Sequence, residues 1–127
     1  MMDPLQLLAI ALAGGAGAAL RYLVDSHMPQ ARFPSGTFLV NIVGAFLLGL
    51  FTGMLIMSVI PDTLLSILGT GFCGGFTTFS TASLTTVEKL REGDTKTALM
   101  YAWGMLLACI IMAYLGMILG THLGNSL

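Results

Sequence analysis

The chain has 127 residues, of which 56% are hydrophobic and 9% charged, and its mean hydropathy of +0.91 lies outside the range of soluble domains. Six carboxylates nearly cancel five cations, for a formal charge of -1, so there is no basic patch to attract nucleic acid and no acidic tail. The composition is that of an integral membrane protein.

Charges fall in clusters, leaving uncharged runs over residues 4–20, 33–61, 63–87 and 97–127. Each run meets or nearly meets the roughly 17 to 25 apolar residues that a transmembrane helix needs. The expected architecture is an all-α membrane protein of four helices, at about 4–26, 35–59, 62–90 with a break, and 95–123. They form one transmembrane domain over 1–127, with no room for a soluble one. Pro29 and Pro34 break the first connection, Pro61-Asp62 the second, and Gly93 turns the third.

The first apolar run could be mistaken for a secretory signal, but Met1-Met2-Asp3 carries no positive charge, so it is read as a permanent helix. Its Ala13 and Gly17 begin a theme of small residues four apart, repeated by Gly49 and Gly53 and by Gly116, Gly120 and Gly124. Such rows let helix backbones approach closely, within or between subunits. Arg21 closes this run, and two readings stand open: its head snorkels to the interface, or it presents a fixed charge to a vestibule.

In the second span the informative residue is Asn41, with Thr37 one turn before it and Gly44 one turn after. Its amide offers two donors to a dehydrated anion, or it makes an interhelical hydrogen bond. Spacing alone does not separate these readings.

The third span carries the strongest signal, the run Gly69-Thr-Gly-Phe-Cys-Gly-Gly-Phe-Thr-Thr-Phe-Ser-Thr81. Unsatisfied backbone groups in hydrocarbon cost several kcal/mol, so irregular backbone at membrane depth belongs where it is buried, holds an ion or lines a wet cavity. A break is expected near Gly74–Thr78, leaving free carbonyls before it and free N–H groups after it, ends of opposite partial charge that suit ions. Free carbonyls there suit a small hard cation. Beyond the break, Thr78, Thr81 and Thr85 form one hydroxyl row, and Thr77, Ser80 and Ser83 another. Those rows line a wet track or bond back to carbonyls one turn earlier. Phe72, Phe76 and Phe79 share one face of a continuous helix, as packing or as electropositive ring edges toward an anion.

In the fourth span Cys109, like Cys73, stands apart from any metal-ligand pattern, and a disulfide framework is not expected. All five cations, Arg21, Arg32, Lys89, Arg91 and Lys96, lie in or beside the first and third connections. The positive-inside rule therefore places these connections in the cytoplasm and both termini outside.

Taken together, the Gly-Ala-Ala-Leu-Arg ending at Arg21, the stretch Gly36-Thr37 to Val40-Asn41, and the run Gly71 to Thr81 resemble the CrcB/Fluc fluoride channels of bacteria. The resemblance covers nearly the whole chain. It implies two subunits packed antiparallel in the inner membrane, with fluoride passing down two pores and leaving the cytoplasm, which relieves its toxicity. It also implies a structural Na+ at the dimer centre, held by the backbone carbonyls of Gly74 and Thr77. By the same resemblance Asn41 and Phe79 line the pore, Ser80, Thr81 and Ser83 join a polar track, and Tyr101 is retained from the polar row of the fourth helix.

Departures from that pattern fall at Ala82, where a second pore phenylalanine is usual, at Thr85 in place of a glutamate, and at Cys109 and Ala113 in the polar row. Together with the one-sided cations, they lead us to expect an antiparallel heterodimer with a related second chain, ahead of a homodimer. A small multidrug-type transporter has similar size, but proton coupling needs a carboxylate inside the membrane, and all six sit at span ends. An enzyme is not expected either, since neither His27 nor His122 has a convincing serine partner. A mainly structural partner subunit is the remaining alternative.

Overall fold

A computed structural model describes residues 1–29, 31 and 33–127. Arg32, counted above among the cations of the first connection, lies outside the described residues.

Local signals set each helix end. Helix α1, Pro4–His27, starts with proline in its first turn and with Asp3 as N-cap, whose Oδ1 accepts from Leu5 N at 3.3 Å. It stops before Pro29. Helix α2, Ser35–Ile56, starts directly after Pro34 and ends where Ser58 takes a left-handed φ of 58°, short of the expected 59. Helix α6, Thr95–Ser126, begins at a second aspartate cap, with Asp94 Oδ1 accepting from Thr97 N at 3.3 Å, directly after Gly93 at φ 81°. It runs past the expected 123.

The third crossing is composite. It comprises α3, Asp62–Leu65, then a π-helical stretch, Ser66–Cys73, then α4, Gly74–Phe76, and after two extended residues α5, Phe79–Arg91. The other three helices are each long and apolar enough to cross a membrane uninterrupted. The described residues thus form an all-α membrane protein of four crossings, the third interrupted near its middle.

The interruption is narrower than the glycines predict. Gly74 is still helical at φ -62°, ψ -39°, and only Thr77 (φ -84°, ψ 162°) and Thr78 (φ -150°, ψ 118°) are extended. The glycines serve packing instead. A Cβ on Gly75 would collide with the Gly14 carbonyl, and one on Gly17 with the Phe72 carbonyl, so α1 and the third crossing meet backbone to backbone. The second seam joins α2 to α6. There Gly49 sits on Ala113 O, Gly53 on Met117 O, Gly116 on Phe46 O and Gly120 on Leu50 O. These glycine rows are thus engaged within the subunit.

Helix α2 is the most enclosed, with Thr37, Val40, Asn41 and Gly44 among its buried residues, whereas α1 buries only Gly17. Trp103, Ile110, Tyr114 and other large apolar side chains of α6 are exposed, as a lipid-facing helix requires. Asp25, Pro34, Glu88 and Glu92 line one cavity, so the first and third connections lie at the same end. Arg21 sits inside α1 rather than in that connection.

Candidate functional site

The site is built on Thr77 and Thr78, the two residues that leave the helix. A helix continuing through them would direct Thr78 N onto Gly74 O. Instead Thr78 N donates to Asn41 Oδ1 at 2.8 Å, and Asn41 Nδ2 donates back to Thr78 O at 3.0 Å. Asn41 is 8% exposed and Thr78 7%, so α2 satisfies both backbone groups of one buried, extended residue. The second Asn41 donor points to Met105 Sδ of α6 at 3.1 Å. On the other side of the break, Arg21 Nη1 of α1 donates to Thr77 O at 3.2 Å. Helices α1 and α2 therefore hold the unwound stretch, with Met105 of α6 behind Asn41, and Gly44 leaves room on α2 for the Thr77 methyl group.

Helix α5 restarts with a hydroxyl cap. Thr78 Oγ1 accepts from Thr81 N at 3.2 Å, donates to Thr81 Oγ1 at 3.0 Å, and lies 3.3 Å from Ser80 Oγ. Thr77, Ser83 and Thr86 bond back to Cys73 O, Phe79 O and Ala82 O, which engages their protons. Thr81 accepts a hydroxyl bond and keeps its own proton.

Two cavities flank α5. One, of about 470 Å³, is lined by Asn41, Gly74, Thr77, Phe79, Ser83 and Tyr101, and also by two of the departure positions, Ala82 and Cys109. Its walls are mostly apolar, and Phe79 stands 87% exposed beside it. The break separates Phe79 from Phe72 and Phe76, which stack on each other with ring centroids 5.8 Å apart. The second cavity, of about 320 Å³, is polar and opens at the end of the first and third connections, with Thr37, Thr81, Thr85 and Asp25 in its lining.

Tyr101 belongs to the wall of the first cavity. Its ring lines the apolar one and packs against Phe33 and Phe38 at 5.5 and 6.1 Å, while its hydroxyl neighbours Thr37 and Thr85 of the polar one. That hydroxyl is fully buried and makes no well-aligned hydrogen bond among the described residues, with the Thr37 and Thr85 side chains as its near polar partners. A buried unpaired donor is rare enough to need a cause.

The expected site residues thus gather around one break, but not on one face. Asn41, Phe79, Ser83, Tyr101, Gly74 and Thr77 line the larger cavity, Thr81 lines the polar one, and Ser80 is exposed at the start of α5. Arg21 reaches the break from behind. Sequence reasoning placed the break within Gly74–Thr78 without singling out Thr78, and it missed Met105 as an Asn41 partner. The signal for Thr78 was its N-cap chemistry, a threonine heading Phe-Ser-Thr; nothing in the pattern marked Met105.

Unwound backbone held at membrane depth between packed helices, beside a polar cavity, is the construction by which polytopic membrane proteins handle small ions. Comparison with known proteins narrows this class. A family model described as "CrcB-like protein, Camphor Resistance (CrcB)" matches residues 8–117. The chain is 42% identical over 122 residues to "Fluoride-specific ion channel FluC 1" of Leifsonia xyli subsp. xyli, covering 94% of this chain and 89% of that protein. It is 41% identical over 121 residues to "Fluoride-specific ion channel FluC" of Pyrococcus furiosus, covering 93% and 98%. It is 40% identical over 117 residues to "Fluoride-specific ion channel FluC 2" of Bacillus subtilis, covering 92% and 88%. The chain belongs to the CrcB family.

Proposed function

We propose that this protein is a fluoride-selective passive channel of the bacterial inner membrane that lets fluoride leave the cytoplasm. Membership of the CrcB family supports the channel class, and the names of three relatives supply the ion. The observation that carries the mechanism is the buried Tyr101 hydroxyl, which makes no well-aligned hydrogen bond and stands beside Thr37 and Thr85, two residues that line the polar cavity. Fluoride is small and strongly hydrated, so a selective path must replace its water with donors. Donor accounting favours the Thr81 and Tyr101 hydroxyls, with Ser80 beside them, because Ser83 and Asn41 have engaged their protons. Phe79 adds an electropositive ring edge, and Ser83 contributes polar lining. Conduction needs no bond making, so the protein is not an enzyme.

The second subunit is an antiparallel partner, preferably a related chain. Support comes from Ala82 and the exposed Phe79 on the wall of the larger cavity: one aromatic side faces an open groove, and a partner supplies the rest. Both termini are extracytoplasmic in this reading, with Lys89, Arg91 and Lys96 at the cytoplasmic end. A Na+ at the dimer centre fits the local chemistry in part. Gly74 O has lost the Thr78 donor to Asn41 and offers a hard oxygen ligand. Thr77 O already accepts from Arg21 and has one lone pair left. The carbonyl oxygens of Gly74 and Thr77 would hold such an ion, whose charge would offset their partial negative charge.

Growth of cells lacking a fluoride exporter tests the reading. Expression of this chain with a related partner restores growth in fluoride, and Phe79→Ala abolishes the rescue. Equal growth with Phe79→Ala, or no rescue in any pairing, contradicts it.

A further inference from the structure

We propose that Cys73, Met105 and Cys109 form a soft-metal site that takes one thiophilic monovalent cation of the Cu+ or Ag+ class. These three sulfur-bearing residues line the same cavity of about 470 Å³, and the chain has no other cysteine. Met105 and Cys109 lie four apart on α6, a spacing that puts two side chains on adjacent turns of one helix face with Cβ atoms about 5–6 Å apart. Cys73 comes from the π-helical stretch of the third crossing. Two separate elements therefore contribute sulfur to one space.

Methionine and cysteine commonly serve as fillers of irregular core gaps, but here they border a space that side chains leave open. Met105 Sδ is held in place by Asn41 Nδ2 at 3.1 Å, and a thioether sulfur has a second lone pair for a metal. Cys73 is buried, whereas Cys109 keeps part of its surface open. Thiolate and thioether ligands select soft cations such as Cu+ over hard ones that want oxygen. Charge then selects the valence, because a net charge buried at membrane depth is costly. As the cation binds, the Cys109 S–H bond breaks, its proton leaves to water, and the sulfur–metal bond forms. Met105 and Cys73 donate lone pairs with their protons unchanged, and the metal stays at +1 throughout. One thiolate cancels one positive charge. Phe79 and Ser83 line the same cavity, so an occupied site obstructs the fluoride path; this consequence alone rests on the channel reading.

Silver nitrate in chloride-free buffer is a redox-silent probe for the full-length protein in detergent and in liposomes. Equilibrium dialysis is expected to find one tightly bound Ag+ per chain, with one proton released on binding, and X-ray absorption at the silver edge to find sulfur neighbours. Cys109→Ser, Cys73→Ser and the nearly volume-conserving Met105→Leu each weaken binding by about tenfold or more, since even an outer-shell partner is worth that much to a metal site. In liposomes Ag+ lowers the fluoride flux of the wild type, and Cys109→Ser resists it. Absence of bound silver, oxygen or nitrogen neighbours in place of sulfur, or equal binding by all three variants overturns the site. Tight binding with flux unaltered overturns the obstruction. X-ray absorption of the wild type decides the matter if the variants do not fold. If the wild type carries no fluoride, the channel reading fails, and dialysis still reports whether the site exists.

Discussion

Single atoms decide which polar groups can meet an ion. Tyr101 shows this most clearly, because a fully buried hydroxyl without a well-aligned hydrogen bond costs stability and calls for a cause. Removing it should therefore separate function from stability. Tyr101→Phe is expected to leave the thermal unfolding temperature in detergent unchanged or to raise it, by relief of about 1–3 kcal/mol of desolvation cost. The same variant lowers fluoride flux. A large loss of stability with flux intact would mean that the hydroxyl is paired in the folded protein. Hydroxyls such as Ser83 give the contrasting case, since a bond to Phe79 O at 2.9 Å already engages its proton.

At the level of elements, the third crossing depends on two kinds of glycine that the sequence does not distinguish. Gly75 lies against the Gly14 carbonyl, whereas a Cβ on Gly74 would meet nothing nearer than Gly69 O at 4.0 Å. Gly75→Ala should cost about 1–3 kcal/mol, the scale for overpacking, and Gly74→Ala should change stability by less than about 0.5 kcal/mol, as exposed substitutions do. Thermal unfolding of the two variants in detergent checks the pair, and equal losses would contradict the packing assigned to Gly75.

These glycines also mark how far the sequence could be read. Four crossings and an interrupted third were legible because charges, prolines and a dense run of glycine and hydroxyl residues are local signals. The exact hinge was not legible. Gly74-Gly75 looks like a break, but both stay helical, Gly75 serving the close contact with α1, and the opening falls at Thr77-Thr78. The π-helical stretch over Ser66–Cys73 has no sequence period of its own. At Asn41 both readings, ion ligand and interhelical bond, fit the spacing equally; the structure shows the interhelical bond to Thr78.

For the whole molecule, the question is how one subunit sits in the bilayer. Arg21 lies within α1 and bonds to the break, so among the described residues the orienting cations reduce to Lys89, Arg91 and Lys96. These three still lie at one end, at the third connection. Cysteines introduced at Glu92 and at Asn125, in a chain with Cys73 and Cys109 replaced by serine, should label from opposite sides of intact cells, with Asn125→Cys reached from outside. Equal labelling of each site from both sides would mean dual insertion, which favours a homodimer over a heterodimer.

The central claim is that the opened third crossing carries fluoride and rejects larger halides. Its most direct test is ion-electrode recording of fluoride and chloride efflux from liposomes containing the protein with its related partner. Rapid fluoride release with chloride retained is the predicted result. Equal release of both ions, or retention of both in every pairing, would contradict it.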